Sequence, residues 1–253
     1  MLKKIILATA LVATASFATW DKFPVLNTHN GQVKIGEVYG MPSDDDSMDD
    51  IYAGVRFTII QNLELGTIFK YRVFTDNNGV DGPDGIYNLP IMVRYQFMPI
   101  MNAFLDVSLP IGEESIGQSD GFGFHFGAQF SQKFGILNFG SELGLLMETR
   151  GDDKTTPPWT LNLGVEGDFE VTQLLTPYIG IDLLMYLGKK TIDGDNVGEN
   201  RTGDLSVAPY LGIVFTFSKM FSLDFSGKFQ FGEDFYGYDD VQMYYDLHLN
   251  INF

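Results

Sequence analysis

The sequence predicts an all-β fold, a 12-stranded antiparallel up-and-down transmembrane β-barrel. Three observations carry that expectation. Apolar and polar residues alternate with period two along most of the chain. The connections between the alternating stretches are short and long in turn. Aromatic residues gather beside the short connections. Period two means strands with one greasy and one polar face. The chain's last thirteen residues, Val241 to Phe253, are the clearest case. Every odd position there is apolar or aromatic, and every even one can hydrogen-bond.

The same pattern marks each earlier strand. A weaker first strand lies near Gln32–Tyr39. In the second, Ile51 to Ile59 alternate with Tyr52, Gly54, Arg56 and Thr58. In the third, Leu65 to Val73 oppose Glu64, Gly66, Lys70 and Arg72. Tyr87, Leu89, Ile91, Val93, Tyr95 and Phe97 form the greasy face of the fourth, and Ala103 to Ile111 that of the fifth. Phe122 to Phe130, Leu137 to Met147, Trp159 to Phe169 and Ile179 to Leu187 supply the next four. Leu205 to Phe217, Phe221 to Phe231 and the end strand complete twelve.

The connections near Gln61–Leu63, Met98–Met101, Ser131–Gly135, Val171–Leu174 and Ser218–Met220 are short. Those over Gly40–Asp50, Thr75–Gly85, Gly112–Asp120, Thr149–Pro158, Gly188–Gly203 and Gly232–Asp240 are longer and rich in Gly, Asp, Asn and Pro. Tight turns on one rim and long loops on the other are the plan of an outer-membrane barrel. Phe97, Phe130, Phe134, Phe169, Phe217, Phe221 and Phe253 would form an interfacial girdle at the short-turn rim. A soluble sandwich accounts for the alternation but not for the loop asymmetry joined to the girdle.

Composition bounds the rest. The chain has 253 residues, 45% of them apolar, with 22 Phe, 12 Tyr and 28 Gly, a mixture suited to curved sheet. No cysteine is present, which excludes disulfides, thiolate nucleophiles and cysteine-bound metals. A formal charge of −17 argues against nucleic acid as a partner. Lys3 and Lys4, an apolar run from Ile5 to Phe17, and small residues at Ser16 and Ala18 read as a signal peptide over residues 1–18, cleaved after Ala18. Residues 19–31 would be a periplasmic segment able to sit in the barrel mouth, and residues 32–253 the barrel in the outer membrane.

The terminal Phe253, with apolar residues at alternate positions before it, is similar to the C-terminal signature of the outer-membrane β-barrel class. That resemblance implies a barrel-assembly machinery as a partner, with Phe253 as its signal. Narrower is the likeness of "IMVRYQFMPIMNAFLDVSLPIGEES" and "GFGFHFGAQFSQKFGILNFGSELGL" to barrels associated with the phenol meta-degradation pathway. It implies transport in general, with no solute named.

Function should reside on the inward face. Arg56, Lys70, Arg72 and Arg94 would form a basic wall, and Glu142, Glu148, Glu166, Asp168 and Asp182 an acidic wall opposite. Tyr52, Phe104, Tyr178, Tyr186, Tyr210 and Tyr244 are the expected lumenal aromatics, lining a slide by stacking or simply filling space. The walls predict a channel passing small polar or amphipathic solutes. Neighbour pairing, Arg56 with Glu64 or Lys228 with Asp246, predicts instead a plugged barrel, an envelope anchor or adhesin acting through acidic loops. Those loops, Asp44–Asp46 with Asp49–Asp50 and Asp193 to Asp204, could meet lipopolysaccharide through divalent cations. However, Val197 and Asp204 depart from a calcium-loop pattern, and no metal or cofactor is expected. Of His29, His125 and His248, none shows the spacing of a hydrolase triad. No enzyme activity is expected. If Phe253 is the assembly signal, deleting it should lower the yield of membrane-inserted barrel in fractionated cells, and an unchanged yield would remove that role.

Overall fold

In the computed structural model, residues 21–152, 154–197, 200–232 and 241–253 are described. The leader expected over 1–18, with Thr19 and Trp20, lies outside them, as does most of the loop expected after Gly232.

Twelve long strands are present among the described residues: β1 (Gly31–Met41), β2 (Asp46–Ile60), β3 (Leu63–Asn77), β4 (Leu89–Met98), β5 (Met101–Leu109), β6 (Gly123–Phe134), β7 (Leu137–Glu148), β8 (Thr160–Phe169), β9 (Leu175–Tyr186), β10 (Leu205–Thr216), β11 (Phe221–Gln230) and β12 (Gln242–Asn252). Each pairs antiparallel with the next, and β12 returns to β1 through Lys34↔Asn250 and Gly36↔His248. The sheet is therefore closed, which removes its edges and satisfies its backbone within the wall. The terminal residue completes the seam: the Gly31 amide donates to the Phe253 carbonyl and the Phe253 amide to that of Gly31, at 2.8 and 3.0 Å.

The register decides which face meets what. Ile35, Ile51, Phe69, Leu143, Phe225 and Leu247 are exposed on the outside, and Ile179 and Leu211 are 59% and 55% exposed. Arg94 and Glu64, each 2% exposed, are buried inside with Asp50, Lys70, Arg72 and Glu142. A soluble protein exchanges these two sets. Apolar surface continuous around a barrel far exceeds the patch a soluble monomer exposes. The outside suits hydrocarbon and the inside is polar, as in a membrane barrel. Among the described strand residues Glu37 and Asp49 are exceptions: Glu37 is outward-facing and exposed between Ile51 and Leu247, and Asp49 lies on the same face between Tyr39 and Phe74. Glu37 lies one outward position from Tyr39 and Tyr245, toward the interface where such a charge costs least.

Two expectations are corrected. The first long loop is only residues 42–45, because β1 and β2 run on to Met41 and from Asp46. Asp46, Asp49 and Asp50 are thus strand residues, and Asp50 keeps the parity of Tyr52 and Arg56 and so faces the lumen; the register shift beside it places the extra residue, Val73, on β3. Tyr87, expected on the lipid face, is 5% exposed and inside. Pairing of β3 with β4 stops at Thr67↔Ile91. Pro90 has no N–H to continue it, and the irregular stretch before it carries the Tyr87 ring inward.

With no native cysteine, single-cysteine variants label uniquely. Maleimide applied to intact cells should label Lys189→Cys on the long-loop rim and spare Lys219→Cys on the short-turn rim. The reverse result would invert the orientation.

Candidate functional site

The lumen is built from short, local solutions to one problem, charge out of water. On the basic side, carboxylates of the same strands meet the cations. Asp50 receives Lys70 at 2.8 Å and Arg72 at 2.9 Å. The Tyr87 hydroxyl donates to Asp50 at 2.7 Å and accepts from Arg72. Nearer the short turns, Glu64 receives Arg94 at 3.0 Å, and Arg56 stands 3.7 Å from it. Arg94 also donates to the Gln129 amide oxygen at 2.7 Å.

On the acidic side, Glu142 accepts from Gln129 at 2.8 Å and from Asn162 at 3.1 Å. Glu166 accepts from the Tyr210 hydroxyl at 2.6 Å. Asp182 is shared by Lys22 at 3.0 Å and Lys228 at 2.9 Å, so Lys228 reaches across to Asp182 rather than to Asp246. One oxygen of Asp168 is buried without a hydrogen-bond partner. Glu148 lies at the long-loop end of β7.

The expected aromatics are all inside, and they act as struts. Tyr52 donates to Asp246 at 2.9 Å and Tyr178 to Asp224 at 2.8 Å. Tyr244 donates to Gln242 at 3.0 Å. Phe104 packs on the His125 ring, with centroids 4.7 Å apart. Tyr186 is covered by the Arg201 guanidinium 5.0 Å from its ring centre. The Tyr178 and Tyr210 rings meet edge to face at 6.4 Å. Tyr52, Tyr178, Tyr210 and Tyr244 are anchored at their hydroxyls, so they are not loose surfaces for sliding solutes.

The residues before β1 join the two walls. Residues 21–26 cross the lumen, and residues 27–30 are exposed and lead to the rim, where the His29 amide donates to the Thr58 carbonyl at 2.8 Å. Asp21 reaches Arg56 at 2.5 Å and Arg94 at 3.3 Å on the basic side. Its neighbour Lys22 reaches Asp182 and the Tyr210 hydroxyl on the acidic side. The Phe23 carbonyl accepts from Asn102 at 3.0 Å and from Arg94, and the Leu26 amide donates to Glu64 at 3.0 Å. The wall makes room for it with glycine. A Cβ on Gly140 would stand 2.9 Å from the Lys22 carbonyl oxygen, and one on Gly164 2.3 Å from the Lys22 side chain. Burial pushes the Asp21 carboxyl up, but Arg56 and Arg94 outweigh it and hold it below the ordinary aspartate range. Burial pulls the Lys22 ammonium down, but Asp182 leads a set of acidic neighbours that raise it well above its ordinary value. Both therefore stay charged at neutral pH.

Sequence reasoning offered Glu64 as the partner of Arg56, and the two stand 3.7 Å apart, but it missed Asp50, Asp21 and Lys22 as partners of the walls. Asp50 was hidden in an acidic run that reads as loop. Asp21-Lys22 carried a legible signal, adjacent opposite charges beside two opposite walls. At the loops, Asp193 is bound by Arg150 and by Lys154, the latter at 3.0 Å, and Asp204 by Arg201 at 2.9 Å.

Closure, strand number and an inside-out distribution of polarity together define a transmembrane β-barrel of the outer-membrane type. Solved structures bear this out. An outer membrane channel from Pseudomonas putida F1 superposes with a TM-score of 0.70 at 12% identity, over 93% of this chain and 99% of that one. The NanC porin gives 0.58 at 7% identity, over 87% and 98%. The translocator domain of the autotransporter NalP from Neisseria meningitidis gives 0.58 at 10% identity, over 96% and 93%. No protein-family model and no curated protein matches the chain.

Removing one partner of a buried pair strands the other. Arg94→Met should therefore cost about 3–5 kcal/mol in urea unfolding from lipid vesicles. Adding Glu64→Gln should recover part of the loss. A single variant as stable as the parent would show the Arg94–Glu64 pair to be dispensable.

Proposed function

We propose that the protein is an outer-membrane channel that passes small polar or amphipathic solutes passively, with residues 21–30 as a displaceable plug. The observation that carries the reading is the lumen itself. Its wall is charged and hydrogen-bonding throughout, whereas a barrel serving only as an anchor gains nothing from burying ion pairs that apolar residues of similar volume would replace at no loss. Twelve strands lie between the eight that side chains fill and the sixteen that leave a wide pore. Channels and porins among the structures sharing this fold agree with that reading. The outer membrane is the location the apolar belt and its aromatic rim fit.

The plug is held mainly by ion pairs and hydrogen bonds, all of which water can replace. Its removal would leave Arg56 and Arg94 on one side and Asp182 and Glu166 on the other facing an open lumen. Carboxylates outnumber cations on the inner wall, so the opened pore should favour cations. Loop carboxylates act less, since their field is screened within about 8–10 Å at physiological salt.

In planar bilayers the full chain should give rare, small conductance steps. A chain without residues 19–30, the leader kept, should give steady steps severalfold larger, with reversal potentials showing cation preference. Neutralising Glu142, Glu166, Asp168 and Asp182 together should weaken that preference. Silence from both chains would sink the channel reading and favour a closed barrel acting as an envelope anchor through its loops.

A further inference from the structure

Above the plug, on the long-loop side, the wall encloses a second space. The connection from β5 to β6 folds inward. Its single turn of 3-10 helix, Glu114–Ile116, buries Ile116, and Gly117 closes it at φ 83°. Asn88, just before the neighbouring β4, clamps this loop, accepting from the Gly112 amide at 2.8 Å and donating to the Ser119 carbonyl at 2.7 Å. Beneath the loop lies a chamber that opens to solvent.

The chamber's polar groups are unevenly satisfied. Asp106 is 3% exposed, and neither of its carboxylate oxygens has a hydrogen-bond partner. The His125 Nδ1 stands 3.6 Å from one of them, beyond hydrogen-bond length but within ion-pair distance when that ring is protonated. Gln118 is 7% exposed; its oxygen accepts from the Asn88 amide at 3.0 Å, but its Nε2 has no partner. A buried carboxylate and a buried amide left unmade each cost free energy that a matching ligand recovers. The remaining walls include Ile68, Tyr87 and Leu146, which reward a hydrocarbon body. Lys70 also faces the chamber, but its ammonium is bound to Asp50 at 2.8 Å. Glu148 adds a second carboxylate to the lining.

We propose that this chamber binds a small organic ammonium ion with an apolar body. The N–H donors of its head meet the open oxygens of Asp106. Its body lies along Ile68, Tyr87 and Leu146, and an acceptor at its far end takes the Gln118 amide. As a statement of what the channel carries, this rests on the transport reading above; as a statement of binding, it stands on the chamber alone.

Calorimetric titration of the full-length protein in lipid nanodiscs tests it with three probes of one shape: benzylammonium, benzyl alcohol and benzoate. The expected order is benzylammonium tightest, by about tenfold over the alcohol, with benzoate unbound. Asp106→Asn, which keeps the side chain's shape, should remove the preference for the cation and leave the alcohol unchanged. The ranking on the unaltered chain decides by itself if that variant fails to fold. Equal binding of the three, binding of none, or benzoate as the tightest would overturn the site. Benzylammonium flux in liposomes separates the two readings. Binding in the expected order without flux leaves the site and removes its role in transport. Flux without the order leaves the channel and removes the site.

Discussion

The structure turns on one constraint: charge placed inside a barrel must be answered inside it. The outside of the wall is given to hydrocarbon, so among the described strand residues the charged side chains away from the interface point inward. A narrow lumen has little water to solvate them, and each must find a partner or remain costly. Arg56, Arg94 and Glu64 answer one another, as do Lys70, Arg72 and Asp50. These clusters form between adjacent strands, where cross-strand side chains lie within reach of one another. The acidic side lacks enough cations of its own. Lys228 supplies one, and the segment before β1 supplies the next.

That deficit explains the order of charges at Asp21-Lys22. The chain bends here, with the Phe23 amide donating to the Asp21 carboxylate at 3.0 Å. The adjacent acid and base reach opposite walls, Asp21 to Arg56 and Lys22 to Asp182. The order suits a segment crossing between a basic and an acidic surface, as this one does. Glycine at 140 and 164 gives the backbone and the Lys22 side chain their passage. Segment, charge order and small residues are thus one device distributed over three distant parts of the sequence.

Much of this was legible in the chain. Period two, loop asymmetry and terminal Phe253 implied the closed barrel, because a strand's two faces cannot be exchanged without exchanging its neighbours. The inward positions of Arg94, Glu142, Asp182 and Tyr210 followed from register alone. What was not legible lay where strand bounds or alternation were obscured. Asp50 keeps its strand's alternation but sits in an acidic run that reads as loop, and Tyr87 turned inward beside a proline that ended strand pairing. Partners were harder still. Alternation tells which face a side chain takes but not which of several acids a long lysine will reach, and so Lys228 was paired with Asp246 rather than with Asp182.

The way the segment is held also bears on whether it can leave. An apolar plug would expose hydrocarbon to water on departure, at about 25 cal/mol for each Å² uncovered. Phe23, Val25 and Leu26 are partly buried apolar groups of this kind, yet the polar contacts to the wall are a carboxylate, an ammonium, two carbonyls and an amide. Water entering the lumen makes equivalent bonds to both the segment and the wall. A net hydrogen bond contributes only about 0.5–1.5 kcal/mol because of that exchange. The barrel's own closure, from β1 to β12, does not pass through residues 21–30 and would survive their withdrawal. A polar plug in a polar wall is therefore separable from the fold that encloses it, and this separability is what a channel requires and an anchor does not.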